Sequence, residues 1–427
     1  MNSIKEIYSE RTGDKYYRIN HKSGLTIFLY PKKDYNSKYA IFGTRYGSVN
    51  NAFSLDGGEV KKVPDGIAHY LEHKMFECDD GDAFLKYAET GANANAFTSF
   101  DKTCYLFTCT DKFEESLRIL LDFVQRPYFT EETVQKEQGI IGQEIRMYDD
   151  SPEWCVMFNM LSGMYRNHPV QIDIAGTVES IAEITPEYLY DCYYTFYNLN
   201  NMVLSVAGDL KPEDVLKIAD EMLKPCEKHE IKSCFEDEPY EIEKAYIEQE
   251  FPVSMPLFNL GFKEKAHQID AGELVENEII VSLISSAASA LYKKLDDSKL
   301  INQSFDCEYF YGQGYNAFMF SGESRNPVQA AEMIKDYINE LRKNGIAEED
   351  FEIAKREVYG DMISSLNSVV NIGNLMVDLY FDKIDFADYV EKIAECTLES
   401  VNERLKKVLD TDNATLSVIR PKEEADV

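Results

Sequence analysis

Residues 181–208 read IAEITPEYLYDCYYTFYNLNNMVLSVAG, and residues 393–420 read IAECTLESVNERLKKVLDTDNATLSVIR. At one constant offset of 212, Ile181, Ala182 and Glu183 fall on Ile393, Ala394 and Glu395, Thr185 on Thr397 and Asn201 on Asn413. The run Leu204-Ser205-Val206 falls on Leu416-Ser417-Val418. A shared offset held across a helix, a turn and a strand marks two copies of one unit of roughly 200 residues, within the usual domain range.

Outward from the repeat, hydrophobic periodicity predicts the same order of elements in each copy. In the first, strands are expected at Tyr16–Asn20, Thr26–Tyr30, Tyr39–Thr44, Ala94–Ser99, Cys104–Cys109 and Met202–Ala207. Helices are expected at Gly66–Phe76, Phe113–Gln125 and Glu131–Tyr148. The second copy predicts strands at Ala245–Glu250, Leu257–Phe262, Ser304–Tyr311, Asn316–Ser321 and Ala414–Ile419, with helices at Glu276–Leu295, Val328–Lys343 and Glu348–Leu366. The predicted class is α+β, with two homologous α/β-roll domains in tandem, each an antiparallel sheet covered by helices on one face. The predicted boundaries are 1–224 for a first domain, 225–244 for a linker and 245–427 for a homologous second domain. The linker, PCEKHEIKSCFEDEPYEIEK, is charged, carries Pro225 and Pro239, and has no clean period.

Composition excludes some functions. The net charge of −32 lacks the basic face that nucleic acid requires. It would attract cationic peptides, although a solvated surface explains the same charge. No stretch approaches the roughly 18 uninterrupted apolar residues of a membrane span. The polar start, MNSIKEIYSERTGDKYY, has no apolar segment like that of a signal peptide. Nine cysteines, an odd number without a C-x-x-C pair, read as free thiols in a reducing compartment. A cytoplasmic protein is the simplest expectation.

The chemistry-bearing motif is His69-Tyr70-Leu71-Glu72-His73. On a helix, the two histidines lie about 40° apart and one turn along, as two ligands of one metal require. Glu72 lies about 60° to the other side of His69, near enough to reach water at the metal. Two neutral imidazoles and one carboxylate suit zinc, which leaves a position for water and brings that water's pKa toward neutrality. The pattern is the H-x-x-E-H signature. A third ligand must come from elsewhere. Glu137 and Glu144, two helical turns apart, share one face of the Glu131–Tyr148 helix, which Val134, Ile140, Ile141 and Ile145 would bury. In Gly91–Tyr105, Asn93, Asn95 and Thr98 alternate with small apolar residues, as an edge strand with a polar face would. His168 and the Gly176-Thr177 pair read as loop organisers, and His21, His229 and His267 as surface residues.

The chain resembles the pitrilysin and mitochondrial-processing-peptidase family of inverted zinc peptidases over essentially its whole length. The resemblance is carried by GIAHYLEHKMFE (66–77), GANANAFTSFDKTCYLFT (91–108), the acidic spacing EQGIIGQEI (137–145), NHPVQIDIAGTVESI (167–181) and NMVLSVAGDL (201–210). It implies His69, His73 and Glu144 as ligands of one Zn²⁺ per chain, Glu72 as general base, Glu137 as an auxiliary acidic residue, and Asn95 and Ala96 as substrate contacts. It further implies a clamshell of two halves, peptide substrates, and paired chains like those of bacterial processing-peptidase-like members. One departure stands out. The family's second-half arginine and tyrosine have no clear counterpart in ALYKKLDDSKLINQSFDCEYF (290–310), and no arginine occurs between Arg166 and Arg325. Asn302 or Gln303 stands where the tyrosine is expected. A homologous subunit lacking the zinc motif, forming a heterodimer, would supply the missing pair. In a homodimer, Lys293 or Lys294 with Tyr309 or Tyr311 would substitute. The alternative to a peptidase is a non-catalytic assembly subunit or a peptide-binding protein.

Overall fold

The computed structural model describes residues 2–422. The chain divides into two compact units, each assembled from separate segments. The first takes in the chain up to Ile145, Asp173–Cys234 and Ile363–Ala387, and the second takes in Arg146–Ile172, Phe235–Met362 and the chain from Asp388 onward.

The first unit is built on a seven-stranded sheet. Its strands are β1 (Ser3–Tyr8), β2 (Lys15–Asn20), β3 (Thr26–Pro31), β4 (Lys38–Thr44), β5 (Asn93–Thr98), β6 (Thr103–Cys109) and β7 (Met202–Gly208). They lie in the order β1-β2-β3-β7-β4-β6-β5, with β3 and β7 parallel and the other pairs antiparallel. The second unit has a five-stranded sheet of β8 (Tyr246–Phe251), β9 (Leu257–Glu264), β10 (Asp306–Gly312), β11 (Tyr315–Glu323) and β12 (Ala414–Pro421), in the order β8-β12-β9-β11-β10. Here β8 and β12 are parallel and the rest antiparallel. The last five strands of the first sheet and all five of the second therefore share one topology, and the matched runs at Leu204–Val206 and Leu416–Val418 occupy the equivalent strands β7 and β12. The repeat in the sequence is a repeat in the fold.

Several expectations need correction. The sheets are mixed, because the closing strand of each copy pairs in parallel on one side. The segmentation crosses the predicted 224 and 245 boundaries, since two apolar helices leave their own half of the sequence. Within the first unit, the Val369–Phe381 helix covers the face of β4 that carries Tyr39, Ile41 and Gly43, and the Tyr39 hydroxyl donates to Asn374 Oδ1 at 2.8 Å. Tyr105 and Phe107 of β6 point the other way, onto Phe123 and Phe113 of the Phe113–Phe123 helix. Helices thus cover both faces of this sheet rather than one. Within the second unit, the Pro152–Met164 helix lies on β9 and β12, where Gly261 meets Met160 and Met164, and Gly163 meets Thr415.

The segment 225–244 does link the two units, which divide between Cys234 and Phe235, and each part of it bonds within its own unit. Ile231–Ser233 forms a strand against Ala52–Leu55 in the first unit. In the second unit, Glu238 accepts the backbone N–H groups of Arg166, Asn167 and His168, and Lys263 Nζ at 2.6 Å. Finally, the predicted Glu276–Leu295 helix is two helices, Ala271–Ser285 and Ala290–Asp297, because Ser289 caps the second through Tyr292 N–H. The stretch Ala271–Asp297 is long and apolar enough to cross a membrane by length and composition alone. The buried Leu274, Val275, Ile279, Ile280 and Ile284 account for that apolarity as core.

Candidate metal centre

The motif helix α1 (Ile67–Met75) starts at Gly66, whose φ of +86° is left-handed. A side chain there would collide with the Ala175 carbonyl, so only glycine lets the 175–176 turn pack onto the helix start. The Gly176-Thr177 pair does organise this loop, with Thr177 capping the Val178–Ile181 turn. Nearly every side chain of α1 is buried, the metal-motif residues His69 and Glu72 included. A second helix, α2 (Glu131–Asp149), is fixed against α1 by the Tyr70 hydroxyl, which donates to the Val134 carbonyl. One turn beyond that bond lies Glu137, and three turns beyond it Glu144. This contact sets which residues of α2 meet the histidines.

The result is a compact donor cluster. One ligand atom from each of His69, His73 and Glu144 lies within 4.8 Å of the other two. His69 Nε2 is 3.7 Å from Glu144 Oε1, and His73 Nε2 is 3.4 Å from Glu144 Oε2. Glu137 stands behind this layer, its Oε1 3.0 Å from His73 Nδ1. A carboxylate on the far nitrogen of a ligand histidine fixes the ring and turns Nε2 inward, which is how zinc histidines are usually held. Two nitrogens and one oxygen, with a paired carboxylate behind, fit zinc by donor type and leave room for water.

Protonation agrees. Burial pushes the His69 pKa down to about 4, with His73 adding to the effect, so at neutral pH its lone pair is free. Burial also disfavours charge on His73, but the bond to Glu137 and the charges of Glu72 and Glu144 outweigh it and raise its pKa. The same bond outweighs burial at Glu137 and lowers that pKa. Below that raised pKa, a metal must displace a proton from His73. Zinc affinity of the metal-free protein is expected to fall about tenfold per pH unit below the raised His73 pKa. Glu137→Gln should move that dependence to lower pH and weaken zinc about 10–100-fold at neutral pH, measured with a competing chelator.

Glu72 is enclosed at 8% exposure, and burial raises its pKa, partly offset by a hydrogen bond from Thr98. Thr98 Oγ1 donates to Glu72 Oε2 at 2.7 Å and lies 3.3 Å from Thr103 Oγ1, which itself donates to the Tyr46 carbonyl at 2.8 Å. Thr98 belongs to the site, though the sequence reading grouped it with Asn93 and Asn95. Strand parity separates them: Asn93, Asn95 and Phe97 share the exposed face of β5, while Ala94, Ala96 and Thr98 share the half-buried one. The signal was available, since only the second set can face α1. Thr98→Val is expected to lower kcat about tenfold with zinc content unchanged, and Thr98→Ser to restore it; equal kcat for all three proteins contradicts this role.

β5 is the last strand of its sheet, as the edge-strand reading requires. Ala96 N–H donates to Asn95 Oδ1 at 2.9 Å, so this backbone donor is met by a neighbouring side chain at the open edge. Other expectations fare differently. His168 is buried, and its Nδ1 accepts from Val170 N–H in its own loop. His21 is not a surface residue: it is 4% exposed and bonded to Ser23 and Asp220. In the second unit, the Tyr309 hydroxyl donates to Glu264 and Lys294 pairs with Glu340, so both are already engaged. His267, with Glu264 and Glu273, forms a second cluster, but the Arg404 guanidinium bridges both glutamates and supplies the cation there.

Residues 50–178 match the family described as insulinase (peptidase family M16), and residues 183–358 match the peptidase M16 inactive domain. The chain is 39% identical to the uncharacterized zinc protease YmfH of Bacillus subtilis, over 98% of this chain and 100% of that protein. It is 27% identical to the uncharacterized zinc protease YmxG of the same organism, over 84% and 88%. The crystal structure of an M16-like protein from Alicyclobacillus acidocaldarius superposes with a TM-score of 0.91 at 34% identity, over 99% of both chains. Pitrilysin shares the fold at a TM-score of 0.78 and 16% identity, over 99% of this chain and 47% of that one. The matches to YmfH and to the Alicyclobacillus protein run essentially the full length of both chains, and the chain belongs to peptidase family M16.

Proposed function

We propose that this M16 chain is a zinc-dependent endopeptidase acting on short or unfolded peptides. The observation that carries the proposal is the convergence of His69, His73 and Glu144 to within 4.8 Å, with the carboxylate of Glu72 buried on the same helix. His69, His73 and Glu144 would hold zinc, which when bound would supply Lewis acidity toward water at neutral pH. Glu72, its pKa raised by burial, takes the proton of the attacking water and passes it to the leaving amine. Thr98 fixes the carboxylate so that one oxygen is free for that proton. Glu137 orients His73. The substrate enters extended along the open edge of β5, exchanging the Asn95–Ala96 bond for main-chain hydrogen bonds, with Asn95 and Ala96 lining the peptide.

The proposed partner is a homologous subunit that supplies what the second-half residues lack. Tyr309 is hydrogen-bonded to Glu264 within its own unit, which favours a partner-supplied pair over Tyr309, while Lys293 or Lys294 with Tyr311 is what a homodimer would use instead. A homologous subunit without the zinc motif completes the active enzyme, in the cytoplasm. The test is hydrolysis of a quenched, unstructured peptide by the zinc-loaded chain, alone and mixed with a motif-less homologue from the same genome. Slow turnover alone and faster turnover in the mixture are expected. High turnover by the chain alone overturns the heterodimer, and no turnover in either arrangement overturns the peptidase.

A further inference from the structure

The first unit holds a cavity of about 370 Å³ with no part in the metal centre. Phe28, Met376, Leu379, Phe381, Ile384 and Phe386 are buried and give it an apolar floor. Tyr380 of the Val369–Phe381 helix packs edge-on against Phe28 at 5.7 Å, which places the cavity on the sheet face that this helix covers. α1 lies on the other face, toward Thr98, so a ligand here touches none of the metal-site residues.

The walls are cationic. Arg18, Arg45 and Lys383 all line the cavity, and none of them forms an ion pair among the described residues. Arg18 and Arg45 are half-buried, and Arg18 Nε is enclosed without a hydrogen-bond partner. The Arg18 guanidinium sits 5.8 Å from the Phe28 ring centre, at the junction of charge and apolar floor. The lone acid of the lining, Asp385, already accepts the Tyr16 hydroxyl and the Ala387 N–H.

This arrangement is costly for this sequence in particular. With 76 acidic against 44 basic residues, carboxylate partners are abundant, yet the half-buried Arg18 and Arg45 line this cavity without an ion pair among the described residues, while Lys383 stands exposed at its rim. An enclosed guanidinium nitrogen without an acceptor calls for a cause, and a guanidinium fork matches a carboxylate or phosphate in two-point geometry. The apolar floor demands more than a bare ion. We propose that this cavity binds an amphipathic organic anion, its carboxylate or phosphate head between Arg18 and Arg45 and its apolar body on Phe28, Met376 and Phe381.

Calorimetry on the full zinc-loaded chain tests this with octanoate, octyl phosphate, octanamide and inorganic phosphate. Both octyl anions should bind, the tighter one identifying the head group, while octanamide and inorganic phosphate bind at least about tenfold more weakly. The double variant Arg18→Gln/Arg45→Gln should lose about tenfold or more in octyl-anion affinity while keeping its zinc and its circular dichroism. Absence of binding by either octyl anion, or equal binding of octanamide, overturns the proposal. An unchanged affinity in the folded double variant does so as well. If that variant does not fold, the comparison of octanoate with octanamide on the parent chain still decides.

Discussion

Replacing Glu72 with Gln is expected to lower kcat on an unstructured peptide by about three orders of magnitude while one zinc per chain stays bound. The substitution is nearly isosteric and its amide oxygen can still accept from Thr98, so the helix and the donor cluster are preserved. What it removes is the basic oxygen that accepts water's proton. Glu72 is not among the three clustered donors, so zinc content separates loss of the base from loss of the metal. A Glu72→Gln protein that hydrolyses peptide at the parental rate would show that the proton goes elsewhere.

The second large effect is expected at Glu144. Glu144→Ala should abolish stoichiometric zinc binding at neutral pH and with it all hydrolysis, a loss larger than the about 10–100-fold caused by an outer partner such as Glu137. Two imidazoles on adjacent turns of α1 remain, but without the carboxylate that lies 3.4–3.7 Å from both Nε2 atoms they offer two ligands where three are needed. The comparison of the two glutamates is informative because both lie on one face of α2 and differ chiefly in depth. Equilibrium dialysis followed by elemental analysis reads the ranking, and equal zinc loss in both variants would contradict the assignment of Glu144 as ligand and Glu137 as support.

Much of this site was legible in the sequence because helical geometry is local. Spacing alone places His69 and His73 one turn apart and Glu137 and Glu144 two turns apart, and the structure brings these pairs together through a contact, Tyr70 to Val134, that spacing does not reveal. The repeat was equally legible, since the offset that matches Leu204–Val206 to Leu416–Val418 also matches strands β7 and β12. What was lost is what depends on distant packing. An apolar helix such as Val369–Phe381 advertises a face to bury but not which sheet buries it, and both it and Pro152–Met164 settle on the sheet of the other half. His21 sits in a polar stretch yet is enclosed, because its partners Ser23 and Asp220 satisfy both ring nitrogens. Thr98 is misplaced by polarity alone and placed by strand parity, which sets it on the opposite face of β5 from Asn93 and Asn95.

Zinc-edge anomalous diffraction from crystals of the native chain measures directly whether two imidazoles and one carboxylate share a single ion. One strong peak should appear about 2.0–2.2 Å from His69, His73 and Glu144. A native crystal with no peak there, or with its only peak at the Glu264–His267–Glu273 cluster, would contradict the central claim.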